Sequence, residues 1–222
     1  MIKHVFCDIG DVLIEWDGQK LCAELAKESA KPADFFLERL VVQGEFSFDK
    51  YPEWSLKCDN GLLQGENLYY EIARQSELRV DYGQFKKIWC DVLRENAHGV
   101  DWLKKMQDTA CTTSILSNIG DIHFEYLYDR VDVVKNCDEF VVSYRCGFVK
   151  PKMEIFKVAF DSARELRGDC FGGVLKRDEC LFVDDRTQNC AAGEKFGFVV
   201  VQYDKAKPQE FGGAVNKLSI LL

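Results

Sequence analysis

Four polar signatures, each beside an apolar run, hold the chemistry available to this 222-residue chain. Asp8 follows IKHVFC, Ser117-Asn118 follows CTTSIL, Lys150 lies in GFVKPKMEIF, and Asp184-Asp185 follows CLFV. Each alone has an ordinary explanation. An Asp at a strand end caps a turn, Ser-Asn makes one, a Lys before Pro151 is a solvated loop residue, and Asp184-Asp185 can cap a following helix. Two neighbouring carboxylates nevertheless repel each other unless a cation lies near them. Together, in this order, the residues fit the needs of phosphoryl transfer. Asp8 can attack phosphorus and form an acyl phosphate. Mg²⁺ is a hard cation that takes carboxylates, backbone carbonyls and a phosphate oxygen, and Asp8 and Asp185 can supply the carboxylates. The Lys150 ammonium, the Ser117 hydroxyl and the Asn118 N–H can bind phosphoryl oxygens.

These residues need elements that bring them together. The apolar runs at 2–7, 111–116, 138–142, 180–183 and 198–202 read as buried strands, with helical patterns at about 98–108, 152–166, 186–196 and 210–221 between and after them. Strands alternating with helices predict an α/β fold: a doubly wound, Rossmann-like parallel sheet. Ligands bind such a sheet outside the carboxyl ends of its strands, where the four signatures fall. Residues 17–95 carry no clear strand run. Phe35, Phe36 and Leu40, then Tyr69, Ile72 and Ala73, then Phe85, Ile88, Trp89 and Val92 are spaced to share helix faces. The expected organisation is a core of residues 1–16 and 96–222 with an all-helical cap, 17–95, inserted between.

The formal charge of −8 gives no general attraction to nucleic acid or anionic membrane. No segment is apolar for long enough to span a bilayer, and Asp8 and Asp11 interrupt the N-terminal apolar stretch, so a cytoplasmic location is expected. The ten cysteines include no C-x-x-C pair and do not cluster with the three histidines, so they read as reduced core residues.

The segments VFCDIGDVLIEWD, SILSNIGD, GFVKPKMEIF and CLFVDDRTQNCAAGEKFGF resemble, in character and order, the four motifs of the haloacid dehalogenase-like superfamily. The first motif and the cap segment CDNGLLQGENLYYEIAR are most similar to its sugar-phosphate phosphatases and to the phosphatase domain of epoxide hydrolases. The resemblance implies that Asp8 is the nucleophile and that Gly10 lends its carbonyl to Mg²⁺. It implies that Ser117 and Asn118 hold the phosphoryl group, that Lys150 stabilises it, and that Asp185 binds metal with Asp184 in or behind the coordination sphere. The expected substrate is a small phosphorylated metabolite, a sugar phosphate by preference, and the expected assembly is a monomer or weak homodimer.

One departure matters. The family's phosphatases usually carry a second Asp two residues after the nucleophile, to protonate the leaving group and activate water. Here that position is Gly10, where a backbone of positive φ is expected, and the acid/base is left unassigned. Asp11 is either a participant or a turn residue. Rival readings are a metal-free 2-haloacid dehalogenase, a weakly active regulatory member, and a phosphomutase. The cap and its hinges, Glu15–Gly18 and Glu95–Val100, should set specificity. Gln43, Glu45, Asp59 and Asn60 are the candidate polar contacts in the cap, each expected to be solvated.

Overall fold

A computed structural model describes all residues except 43–49, 172–173, 216, 219 and 221–222, and the side chains of 169–171. Five parallel strands form the central sheet in the order β5-β4-β1-β6-β7. They are β1 (His4–Cys7), β4 (Thr112–Ser117), β5 (Glu139–Val142), β6 (Cys180–Asp184) and β7 (Val199–Gln202). β1 sits in the middle with β4 and β6 on its two sides, in registers that level Cys7 with Ile115 and with Val183. Asp8, Ser117 and Asp184 therefore leave the sheet at one edge.

Side-chain alternation builds two cores. Val5, Cys7, Ile115, Leu181 and Val183 face one layer, packed with Trp102 and Leu103 of α6 (Ala97–Gln107), Phe124 and Leu127 of α7 (Asp121–Arg130), and Phe211 of α12 (Pro208–Val215). Phe6, Leu116 and Phe182 face the other, against Phe156 and Ala159 of α10 (Met153–Phe171) and Ala192 of α11 (Thr187–Phe196). Short helices α8 (Asp132–Lys135) and α9 (Ser143–Cys146) flank β5. The doubly wound α/β expectation is met.

Between Trp16 and Leu93 the chain forms α1 (Gly18–Lys27), α2 (Ala33–Leu40), α3 (Glu53–Asp59), α4 (Gly65–Ser76) and α5 (Tyr82–Cys90). Phe36, Leu40, Ile72, Phe85 and Trp89 share a separate apolar cluster, as their helical spacing predicts, and Trp54 and Leu68 join it. Asp17 and Asp81 cap α1 and α5 by accepting from the N–H of Lys20 and Gln84.

Three expectations need correction. Residues 93–95 are not helical: β3 (Leu93–Glu95) pairs antiparallel with β2 (Ile14–Trp16), so the insertion leaves the core on a two-stranded ribbon. Three-residue strands are too short to show a period. The sequence reading passes over α7, whose apolar residues are interrupted by His123, Glu125 and Asp129 and give a weak stripe. The last helix ends at Val215 rather than 221, and Ile220 instead bridges in parallel to Ile2. Nine cysteines have described side chains; none is in a disulfide, and all but Cys146 are buried. Among the described residues no helix is long and apolar enough to cross a membrane.

Candidate active site

The site grows from the carboxyl ends of β1, β4 and β6. Asp8 sits one residue beyond β1, its backbone N–H donating to the Val183 carbonyl at 2.9 Å. Its Oδ1 accepts from the Ile9 N–H at 2.7 Å and lies 3.0 Å from Lys150 Nζ. No hydrogen bond to Oδ2 occurs among the described residues, which leaves that oxygen available to a reactant.

Lys150 is 1% exposed and sits between Asp8 and Asp184, 2.5 Å from Asp184 Oδ2, while also donating to the Leu116 carbonyl at 2.8 Å. Burial works to strip the ammonium of its proton, but Asp184 and Asp8 overcome it and hold its pKa above the ordinary lysine value. Asp184 is fully buried, and its oxygens also accept from Asn189 Nδ2 and the Arg186 N–H, both at 2.9 Å. Asp184 thus anchors Lys150 and the turn after β6.

Asp185 is different. Its carboxylate makes no hydrogen bond among the described residues, and burial, then Asp8, then Asp184 push its pKa up to about 7. Carboxylate oxygens of Asp8, Asp184 and Asp185 all lie within 4.8 Å of one another. An unpartnered carboxylate in so negative a corner fits a hard divalent cation. Gly10, whose carbonyl accepts no hydrogen bond among the described residues, lines the same cavity.

Ser117 is the buried last residue of β4 and lines the cavity. The Asn118 side chain does something the sequence does not suggest. Its Oδ1 accepts from the Lys150 N–H at 2.7 Å and its Nδ2 donates to the Lys150 carbonyl at 2.9 Å. It clamps the lysine's backbone. Asp11 has φ 53° and an ion pair to Lys205 at 2.7 Å, as befits a turn residue. Gly10 does not have the expected positive φ: a Cβ built on it would meet nothing within 4 Å, and it is Asp11 that takes the left-handed conformation.

The cavity, about 310 Å³, is lined from the helical insertion by Leu40, Ser55, Leu68 and Trp89, and by Trp16 at the end of β2. Asp59 also lines it. It is half-buried rather than solvated, and it accepts from the Tyr51 hydroxyl at 2.5 Å. Asn60 is the loop residue expected, its Oδ1 accepting from the Leu62 N–H. Gln43 and Glu45 lie outside the described residues. Tyr51 and Arg186 also line the cavity, and the sequence pattern does not single them out. Arg186 had a signal in its adjacency to Asp184-Asp185; Tyr51 had none.

No family model matches the chain. A D-ribitol-5-phosphate phosphatase of Bacteroides thetaiotaomicron is 22% identical over 209 residues, covering 91% of this chain and 92% of that protein. Among solved structures, an enzyme of the HAD family from the same organism, in complex with magnesium and inorganic phosphate, is similar with a TM-score of 0.73 at 21% identity, covering 92% of this chain and 96% of that one. A predicted HAD-like hydrolase from Porphyromonas gingivalis gives a TM-score of 0.74 at 21% identity, covering 98% and 100%. An L-2-haloacid dehalogenase from Xanthobacter autotrophicus gives 0.57 at 15% identity, covering 99% and 84%.

Proposed function

We propose that this chain, whose fold is that of the haloacid dehalogenase-like hydrolases, is a Mg²⁺-dependent phosphatase of small phosphate esters. The observation that carries the reading is the buried Lys150 set between Asp8 and Asp184, beside the unpartnered Asp185. That arrangement joins a nucleophile, a fixed cation and a divalent-cation corner at one sheet edge. The magnesium-and-phosphate complex of a structural neighbour and the phosphatase relative support it.

In this reading Asp8 Oδ2 attacks phosphorus while Oδ1 stays with Lys150 and the Ile9 N–H, giving an aspartyl-phosphate that water then hydrolyses. Ser117 Oγ, the Asn118 N–H and Lys150 hold the phosphoryl oxygens. Asp8, Asp185 and the Gly10 carbonyl would hold Mg²⁺, with Asp184 behind them anchoring Lys150. The ion would supply charge neutralisation, without which an anionic ester and these carboxylates repel. Residues 17–95 act as the cap: they close the cavity, exclude water and, through its modest size, select a small substrate, a sugar phosphate by preference. Reduced thiols fit a cytoplasmic location, and the protein works as a monomer or weak homodimer. The dehalogenase alternative is disfavoured by physics, since a metal-free site for a carboxylate substrate would not gather Asp184 and Asp185 beside the nucleophile.

The test is turnover of an aryl phosphate with Mg²⁺, with chelator, and after Mg²⁺ is restored. Loss and recovery are expected. Full activity in chelator would overturn the assignment. With beryllium fluoride and Mg²⁺, the fluoride group should be found on the Asp8 carboxylate.

A further inference from the structure

The step left unassigned is proton transfer. Expelling an alkoxide from a sugar phosphate needs an acid, and hydrolysing the phosphorylated aspartate needs a base. Gly10 has no side chain to offer. Nearby ionisable groups are otherwise engaged. Asp11 is paired with Lys205, Asp184 with Lys150, and the His123 ring with the Trp89 carbonyl at 2.9 Å. Asp185 belongs to the cation corner.

Asp121, which also lines the cavity, is held by the backbone N–H groups of Ile122 and Gly65. One carboxyl remains, and it comes from the cap. Asp59 is the last residue of α3, and α3 ends against the loop that follows β4. A Cβ on Gly120 would stand 3.3 Å from Cys58 Cβ, so the helix end is in contact with the turn that carries Ser117 and Asn118. α3 therefore delivers Asp59 into the same cavity as Asp8. The Tyr51 hydroxyl, itself within hydrogen-bonding reach of Asn118, fixes Asp59 Oδ2 and leaves Oδ1 for a substrate oxygen.

We propose that Asp59 is the general acid and base of this site, the cap's replacement for the carboxyl that Gly10 lacks, with Tyr51 as its positioning residue. The inference rests on the phosphatase reading. In the first step Asp8 Oδ2 bonds to phosphorus, the ester P–O bond breaks, and the Asp59 proton passes to the departing alkoxide. In the second, Asp59 takes a proton from the attacking water, the P–O bond to Asp8 breaks, and phosphate leaves with both residues restored. Burial chiefly, and then Asp8, raise the Asp59 pKa, against the lowering by Tyr51, Arg186 and Lys150, to about 6. That value suits a group which must give and take a proton near neutrality. Because the acid arrives with the cap, bond cleavage is coupled to closure over a substrate.

The test compares an alkyl phosphate, whose leaving group needs a proton, with p-nitrophenyl phosphate, whose leaving group does not. In single-turnover measurements with Mg²⁺, Asp59→Asn should slow phosphoryl transfer from the alkyl ester about a hundredfold or more, and from the aryl ester less than about tenfold. Tyr51→Phe should move the pH limb assigned to Asp59 upward, because it removes a hydrogen bond that lowers that pKa; a merely structural role would leave the limb in place. Gly10→Asp in the Asp59→Asn background should recover part of the alkyl-ester rate. Equal slowing of both esters by a folded Asp59→Asn protein, or no slowing of the alkyl ester, would overturn the proposal while the phosphatase reading stood. A wild-type protein that turns over neither ester would end both.

Discussion

Lys150→Met keeps the length and apolar stem of the lysine but removes the one ammonium between Asp8 and Asp184. With the lysine 1% and Asp184 0% exposed, little water can replace it. Breaking a buried ion pair from one side costs about 3–5 kcal/mol, because the surviving carboxylates lose their counter-charge. For a chain of this length that converts to a fall in Tm of roughly 6–20 °C. Chemical denaturation at pH 7.5 with chelator present reads it directly. The loss should be nearly independent of NaCl, since buried charges are poorly screened. It should shrink in Mg²⁺, which supplies positive charge to the same carboxylates. Adding Asp184→Asn should cost much less in the Lys150→Met background than in the wild type, which is the signature of direct coupling. A single-variant loss below about 1 kcal/mol, strongly salt-dependent, would match an exposed pair and refute the view that one buried cation lets these strand ends converge.

Asp8→Asn should fold and bind phosphate but turn over at least about a thousandfold more slowly, read by steady-state kinetics on an aryl phosphate; near-normal turnover would remove Asp8 as nucleophile. Gly10→Asp should fold without penalty in Mg²⁺, and can gain up to about 1 kcal/mol by restricting the unfolded chain, because Gly10 has no positive φ and open space around its Cα; a marked fall in Tm would contradict that geometry. Gly99→Ala should destabilise by about 1–3 kcal/mol, since its Cβ would stand 1.9 Å from the Val12 carbonyl oxygen, and thermal unfolding would show it. The fully buried His4, held by Thr112 at 2.7 Å, has its pKa pushed by burial from 6.5 to about 3. The unfolded chain therefore takes up a proton below about pH 6.5 that the fold refuses, so this site's contribution is intact above that pH and is lost as pH falls toward 3. By pH 5 the loss is about 2 kcal/mol, and unfolding free energies measured from pH 7.5 to 5 should show a shallower decline in a His4→Asn variant.

Much of this molecule is determined by sequence alone. Apolar runs stopping at Asp8, Ser117 and Asp184 define strands and their polar ends, because strand burial and the abrupt change to charge are both local in the chain. The rule that parallel sheets gather function at their carboxyl edge then brings those ends together without coordinates. Helical spacing likewise marks Phe36, Ile72 and Phe85 as the inner faces of the insertion. What only tertiary structure decides is which polar atoms meet across long loops. The order β5-β4-β1-β6-β7 sets the β4 and β6 ends on either side of Asp8, and Lys150 reaches both Asp8 and Asp184 because Asn118 clamps its backbone from 32 residues away. The backbone at Gly10, the ribbon of β2 and β3, and the conversion of Asp59 from an expected solvated residue into a cavity-lining carboxyl held by Tyr51 are equally invisible in a linear pattern. Hydrophobic periodicity records which face of an element is buried, but it carries no information on the partner that face is buried against. A hydrogen bond or a desolvated charge depends on that partner within a few tenths of an ångström.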